Sequence, residues 1–189
     1  LGKVIILDSG HGGVDAGATG NQIIEKDLNL ILTRKLEKEL VSRGATVYLT
    51  REDDKDLSTT TVNRKRSDLY NRAKYINKIS PNMYISIHLN SVTNSSWRGL
   101  QVFYTTKSEE NKLIAETITN HLRKNMSNVR EIKKDNTYYM YKHITSPGVL
   151  IEAGFISNSN DSYLLRNKEY QDKLISSISD SIEIYFQKK

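Results

Sequence analysis

Residues 7 to 30 read LDSGHGGVDAGATGNQIIEKDLNL. An apolar run, Val4 to Leu7, stops at Asp8 and gives way to a loop holding Gly10, Gly12, Gly13, Gly17 and Gly20. The loop closes at Glu25, after which Leu28, Ile31, Leu32, Leu36 and Leu40 recur at helical spacing until Gly44 stops them. Strand, glycine loop and helix, in that order, open an alternation that runs through the whole chain.

Working outward, further strands are predicted at ATVYLT (45–50), MYISIH (83–88), GLQVFYT (99–105) and GVLIEAG (148–154). Between them, Arg51 to Thr61 reads as an exposed polar loop, with Thr60 or Thr61 available to cap the next helix. That helix shows Val62, Leu69, Ala73, Ile76 and Ile79 as its apolar face. Another is expected from about Ser108 to Lys124, burying Ile114, Ile118 and Leu122, and a terminal helix buries Leu174, Ile175, Ile178, Ile182 and Tyr185. Strands alternating with helices argue for an α/β fold: a single domain over residues 1–189, with a largely parallel twisted sheet flanked by helices on both faces. There is no internal repeat, low-complexity segment or linker.

The 189 residues suffice for one domain burying roughly 70% of the surface its unfolded chain exposes. No apolar run approaches the roughly 20 residues of a membrane span. The chain starts at Leu1 directly before a strand, so a signal or anchor segment is expected to be absent from it. With no cysteine, disulfides and thiolate metal sites are excluded, and any metal must be held by histidine and carboxylate. The net charge of +6 points to a polyanion, either nucleic acid or an anionic wall polymer. The cations lie mostly on helix faces and no nucleic-acid-binding motif occurs, so a solvated surface is the plainer reading.

His11, Glu25 and His88 form the candidate metal set. Zinc enzymes commonly use three protein ligands, two His and one Glu among them, and keep a fourth position for water. Rigid backbone at close approach explains the glycines around His11. His88 ends an apolar strand, with Asp8 and Asp15 as alternative partners for its second nitrogen. Glu152 sits in the apolar context GVLIEAGF (148–155), where a buried carboxylate needs a compensating cation. As a non-ligand it would carry protons, from the attacking water to the leaving amine. Each has a plainer reading: His11 a loop histidine, Glu25 a helix-dipole acid, His88 a satisfied strand-end histidine, Glu152 a turn cap. His121 reads as surface and His143 as a loop residue without a role. Every chemical candidate lies at a strand's C-terminal end or just after it, where open α/β sheets form their ligand crevices. Spacing alone leaves a zinc hydrolase open.

Read together, LDSGHGG, EKDLNL, LTR (49–51), SIHLN (86–90) and GVLIEAGFISN (148–158) resemble the zinc-dependent N-acetylmuramoyl-L-alanine amidases of bacterial cell walls, amidase-3 type. Order and spacing agree along nearly the whole chain. The resemblance implies His11, Glu25 and His88 as zinc ligands, Glu152 as catalytic glutamate, and structural or substrate-facing roles for Arg72 and Arg130. It implies hydrolysis of the amide between the lactyl group of N-acetylmuramic acid and L-alanine in peptidoglycan, outside the cytoplasm. Ser9 replaces a frequent proline, and Ile76 a usual alanine, away from the ligands. Between Thr105 and Gly148 there is room for one helix and a loop, too little for the long helical block that covers the zinc in some members. A bare catalytic domain is similar to the spore-cortex amidases, whose action begins muramic-δ-lactam formation, and a separate protein is expected to supply localisation or activation. An inactive wall-binding module is the alternative from another class, and a zinc peptidase or sugar deacetylase the alternative chemistry. Trp97, Tyr138, Tyr139 and Tyr141 read as packing against the sheet edge rather than stacking on a sugar.

Overall fold

The run VIILDS turns successive side chains to opposite sides: Ile5 and Leu7 join one apolar cluster and Ile6 the other. This alternation, repeated in the neighbouring strands, builds a sheet with a core on each face. The computed structural model describes residues 1–188; Lys189, the last residue of the expected domain, lies outside them. In chain order the elements are β1 (Val4–Ser9), the short β2 (Thr19–Gly20) and β3 (Ile23–Ile24), α1 (Glu25–Ser42), β4 (Thr46–Leu49), α2 (Arg64–Ile79) and β5 (Met83–Asn90). Then follow β6 (Gln101–Tyr104), α3 (Glu109–Asn125), β7 (Lys133–Lys134), α4 (Tyr139–His143), β8 (Gly148–Phe155), α5 (Ser159–Arg166) and α6 (Lys168–Gln187).

The main sheet has the order β4-β1-β5-β8-β6-β7. From β4 to β8 all pairs are parallel; β6 runs antiparallel to β8 and pairs with β7 in parallel. The central strands β1, β5 and β8 are buried almost throughout, as expected for a sheet covered on both faces. One face carries Met83, Ile85, Ile87, Val149 and Ile151 against α1, α3 and α6, including Leu32, Leu36, Ile114, Ile118, Leu174 and Ile178. The other carries Ile6, Tyr84 and Leu150 against α2 and the short α4. This thinner second layer is where the side chains of Asp8, Ser86, His88 and Glu152 fall by the same alternation. The α/β fold with helices on both faces is therefore as expected. No helix among the described residues is long and apolar enough to cross a membrane.

Some local expectations fail. Ile31 is 48% exposed, because the buried stripe of α1 follows Leu28, Leu32, Leu36 and Leu40 at four-residue spacing. Val62 stands outside α2 and is exposed, and neither Thr60 nor Thr61 caps that helix; Asn63, in the left-handed region at φ 53°, is the N-cap and makes no side-chain cap bond. Arg51 does not begin an exposed loop: it is buried to 1% exposure, for a reason that belongs to the site. His121 is not a free surface residue but is half-buried between α3 and α6, its Nε2 3.6 Å from Asp180.

Candidate metal centre and active site

β1 and β5 run side by side to a common end, with Ser9 opposite Ile87, so the glycine loop leaves the sheet beside His88. Gly10 donates its amide to the Ile87 carbonyl at 3.1 Å. A Cβ on Gly10 would stand 2.3 Å from the His88 ring, so only glycine lets the loop cross the imidazole. Two buried guanidinium groups then hold the loop by its carbonyls. Arg51 donates to Ser9 at 3.0 Å, to Gly10 at 3.1 Å and to Lys26 at 2.7 Å. Arg72 donates to the carbonyls of Ser9 and His11, both at 2.6 Å, and pairs with Asp8 at 3.0 Å and Asp68 at 2.9 Å. Burial lowers the Arg72 pKa, but the two carboxylates outweigh it and raise it above the usual value. Asp8 also accepts from Thr50 at 2.8 Å and Ser86 at 2.5 Å; burial pushes its pKa up, and Arg72 with these hydroxyls brings it below the ordinary range.

Held this way, His11 and His88 meet Glu25, the first residue of α1. The Glu25 Oε1 lies 3.1 Å from His11 Nε2 and 3.2 Å from His88 Nδ1, and accepts the Leu89 amide at 3.1 Å. Its Oε2 accepts the Ala18 amide at 2.8 Å. One donor atom from each of the three residues falls within 4.8 Å of the others. Burial raises the Glu25 pKa, but the two imidazoles reverse this and hold its carboxyl well below the usual range. His11 has the opposite sign: burial lowers it, and Glu25 and Asp15 raise it to a net increase.

Asp15 accepts from His11 and not from His88: its Oδ2 sits 2.9 Å from His11 Nδ1, which leaves Nε2 turned toward Glu25. Of the two alternative partners expected for His88, Asp15 thus serves His11 and Asp8 is committed to Arg72. His88 Nε2 is buried with no hydrogen-bond partner among the described residues. Two imidazoles, one carboxylate, an orienting carboxylate behind one imidazole and an orphaned ring nitrogen suit a divalent metal.

Glu152 lies directly across the β5–β8 ladder from His88. It keeps partial exposure, yet its Oε2 is sealed from solvent and has no hydrogen-bond partner among the described residues. Burial, with the Glu25 charge, overcomes the two histidines and pushes its pKa up to about 7. Glu152, His11 and His88 line a cavity of about 210 Å³, closed on the α4 side by Tyr138 and Tyr141. The Tyr138 ring meets His88 edge-on at 6.2 Å and Tyr141 at 5.1 Å. Lys107 fixes this short helix by donating to the carbonyls of Tyr141, Lys142 and Ile144 at 3.0–3.2 Å.

Asp68 and Tyr138 were not legible as site residues; the i, i+4 spacing of Asp68 and Arg72 was the available signal for the first. Trp97 is 47% exposed and lies over the Arg130 guanidinium, 4.8 Å from ring centroid to carbon, with Phe155 at 5.5 Å from the same group. Arg130 thus packs between Trp97 and Phe155 near the β8 end. His143 meets Tyr70 edge-on and Tyr139 at a tilt, outside the cavity.

The family model described as N-acetylmuramoyl-L-alanine amidase, amidase-3 type, matches residues 5–184. The germination-specific N-acetylmuramoyl-L-alanine amidase of Bacillus subtilis is 42% identical over 193 residues, covering 100% of this chain and 81% of that protein. Among solved structures, the CwlD amidase from Clostridioides difficile, in complex with the GerS lipoprotein, superposes with a TM-score of 0.93 at 38% identity, covering 99% of this chain and 100% of that one. The catalytic domain of the CwlV amidase from Bacillus (Paenibacillus) polymyxa var. colistinus gives a TM-score of 0.86 at 29% identity, covering 99% of both chains. By sequence and by fold, the chain belongs to the N-acetylmuramoyl-L-alanine amidase family.

Proposed function

We propose that this amidase cleaves the amide between the lactyl group of N-acetylmuramic acid and the L-alanine of the peptidoglycan stem, with zinc held by His11, Glu25 and His88 and with Glu152 as the proton carrier. The observation that carries the reading is the convergence of three donor atoms within 4.8 Å beside Glu152, whose Oε2 is buried and has no hydrogen-bond partner among the described residues. Bound zinc supplies Lewis acidity, polarising a carbonyl and acidifying water. The chain's own residues do the rest. Asp15 holds His11 in the tautomer that presents Nε2 to the site. Glu152, poised near neutrality, takes a proton from the attacking water at its carboxylate and delivers it to the departing L-alanine nitrogen. Tyr138 and Tyr141 exclude water from the side of the cavity facing α4.

The likeness to a germination-specific amidase supports a role outside the cytoplasm in the spore cortex, where stripping the peptide precedes muramic-δ-lactam formation. The CwlD amidase, whose structure includes the GerS lipoprotein, supports a separate accessory protein for localisation or activation. Purified peptidoglycan incubated with the protein, with and without a chelator, tests the chemistry. New L-alanine amino termini that vanish with chelator are expected; new reducing sugar ends instead would make the enzyme a glycosidase.

A further inference from the structure

A second concavity opens beside the first. It is a groove of about 790 Å³ between the start of α2 and the helix α4, and it shares Lys65 and Leu69 with the cavity that holds His11. Its charged lining is wholly basic: Arg64, Lys65, Arg66 and Lys142, without a carboxylate. Arg64 is spoken for, with Nε 2.7 Å from Asp56. Lys65 is only loosely held, 3.9 Å from Asp15. Arg66 lies 5.0 Å from the Tyr139 ring centroid, and neither it nor Lys142 has an acidic partner among the described residues.

Cations on a helix face are ordinarily solvated and specify nothing. Three observations separate these from that case. They come from two facing elements, they line a concavity, and that concavity adjoins the catalytic cavity, sharing Lys65 and Leu69 with it. An occupant of the groove is therefore continuous with whatever is cleaved.

We propose that the groove receives the stem peptide on the leaving side of the scissile amide, and that Arg66 and Lys142 hold its free carboxylates. The inference rests on the amidase reading above. Charge complementarity selects the peptide over the glycan. The muramic carboxyl is consumed in the amide being cleaved, leaving the sugar side neutral, whereas the peptide ends in a carboxylate and carries another wherever a glutamate is linked through its side chain. Arg66 offers a planar, forked donor stacked on Tyr139, and Lys142 a mobile point charge across from it. Both are exposed, so the attraction weakens as salt rises.

Steady-state kinetics on two soluble muramoyl-peptides of one sequence, with free carboxylates or with carboxamides, test this. The wild-type protein is expected to favour the acid form by roughly tenfold in kcat/KM at low salt, through KM, and by less at high salt. In Arg66→Ala/Lys142→Ala the ratio falls toward one, and in Lys142→Glu below it. Equal kcat/KM for the two forms in the wild-type protein overturns the proposal without recourse to any variant, as does a variant that keeps the wild-type ratio. Inhibition by a phosphate-rich wall polymer, in the absence of any acid preference, gives the groove to that polymer and overturns the proposal too. Cleavage of neither substrate refutes the amidase reading, and the inference with it.

Discussion

Replacing Glu152 by glutamine should make the metal-free protein more stable at neutral pH while removing its activity. The carboxyl has a folded-state value of about 7 against 4.5 for a free glutamate. Because the folded value is the higher one, the unfolded chain releases a proton between these limits that the folded chain keeps. Stability unaffected by this group below about pH 4.5 is therefore lost as pH rises to 7, and the loss is complete above it. At about 1.4 kcal/mol per unit the full displacement is worth roughly 3.5 kcal/mol, and the partial exposure of the residue discounts this to about 2 kcal/mol. Glutamine keeps the shape and removes the charge. Denaturant unfolding of chelated wild-type and Glu152→Gln protein, at several values between pH 4.5 and 8, measures the difference. Any packing change cancels, since it is common to every pH. The variant's advantage should grow by about 2 kcal/mol across the window, and metal loading should shrink it, because a nearby cation favours the charged wild-type carboxylate. A difference that stays flat with pH would refute the reasoning.

His11→Ala or His88→Ala should lose bound metal and activity together, whereas Glu152→Ala should keep its metal and lose at least about a hundredfold in kcat; metal analysis beside turnover separates the cases, and full occupancy in His88→Ala would remove it from the ligand set. Arg72→Met leaves Asp8 and Asp68 buried without their counter-charge and should cost about 3–5 kcal/mol in unfolding free energy; a loss under 1 kcal/mol would show the network to be dispensable. Gly10→Ala must displace the His88 ring, which stands 2.3 Å from the new methyl group, so metal affinity should fall at least about tenfold; unchanged affinity by titration would show that the loop gives way instead.

Strand identity and the two-faced core were legible because each central strand is a short apolar run bounded by polar or glycine residues, whereas the strand order and the antiparallel β6 were not. The convergence of His11, Glu25 and His88 was legible only from the ordered set of motifs. What escaped depends on partners distant in sequence. Arg51 and Asp68 look like surface residues along the chain; burial is tolerable for Arg51 only through its hydrogen bonds to Ser9 and Gly10, some 40 residues earlier, and for Asp68 through Arg72, which itself reaches back to the same loop. The same holds for His121, whose burial is decided by α6, whereas Asp15 takes the near His11 over the distant His88 because of how the loop folds back. The α2 cap failed for a local reason: a left-handed asparagine at residue 63 starts the helix, so no hydroxyl is needed.

The ladder position shared by His88 and Glu152 also governs what alteration the enzyme can tolerate. Adjacent strands lie about 4.8 Å apart, and the hydrogen bonds between them act as a ruler that no side chain can lengthen. Deleting one residue ahead of Glu152 would bring Ile151 and Glu152 into exchanged orientations, sending the carboxylate toward α1 and α3. Such a change is not a graded loss. By contrast the glycine loop, the stretch after β4 and the segment carrying α4 can drift in length while the spacing stays set, so variation within this architecture should collect around the ruler and leave its markings alone.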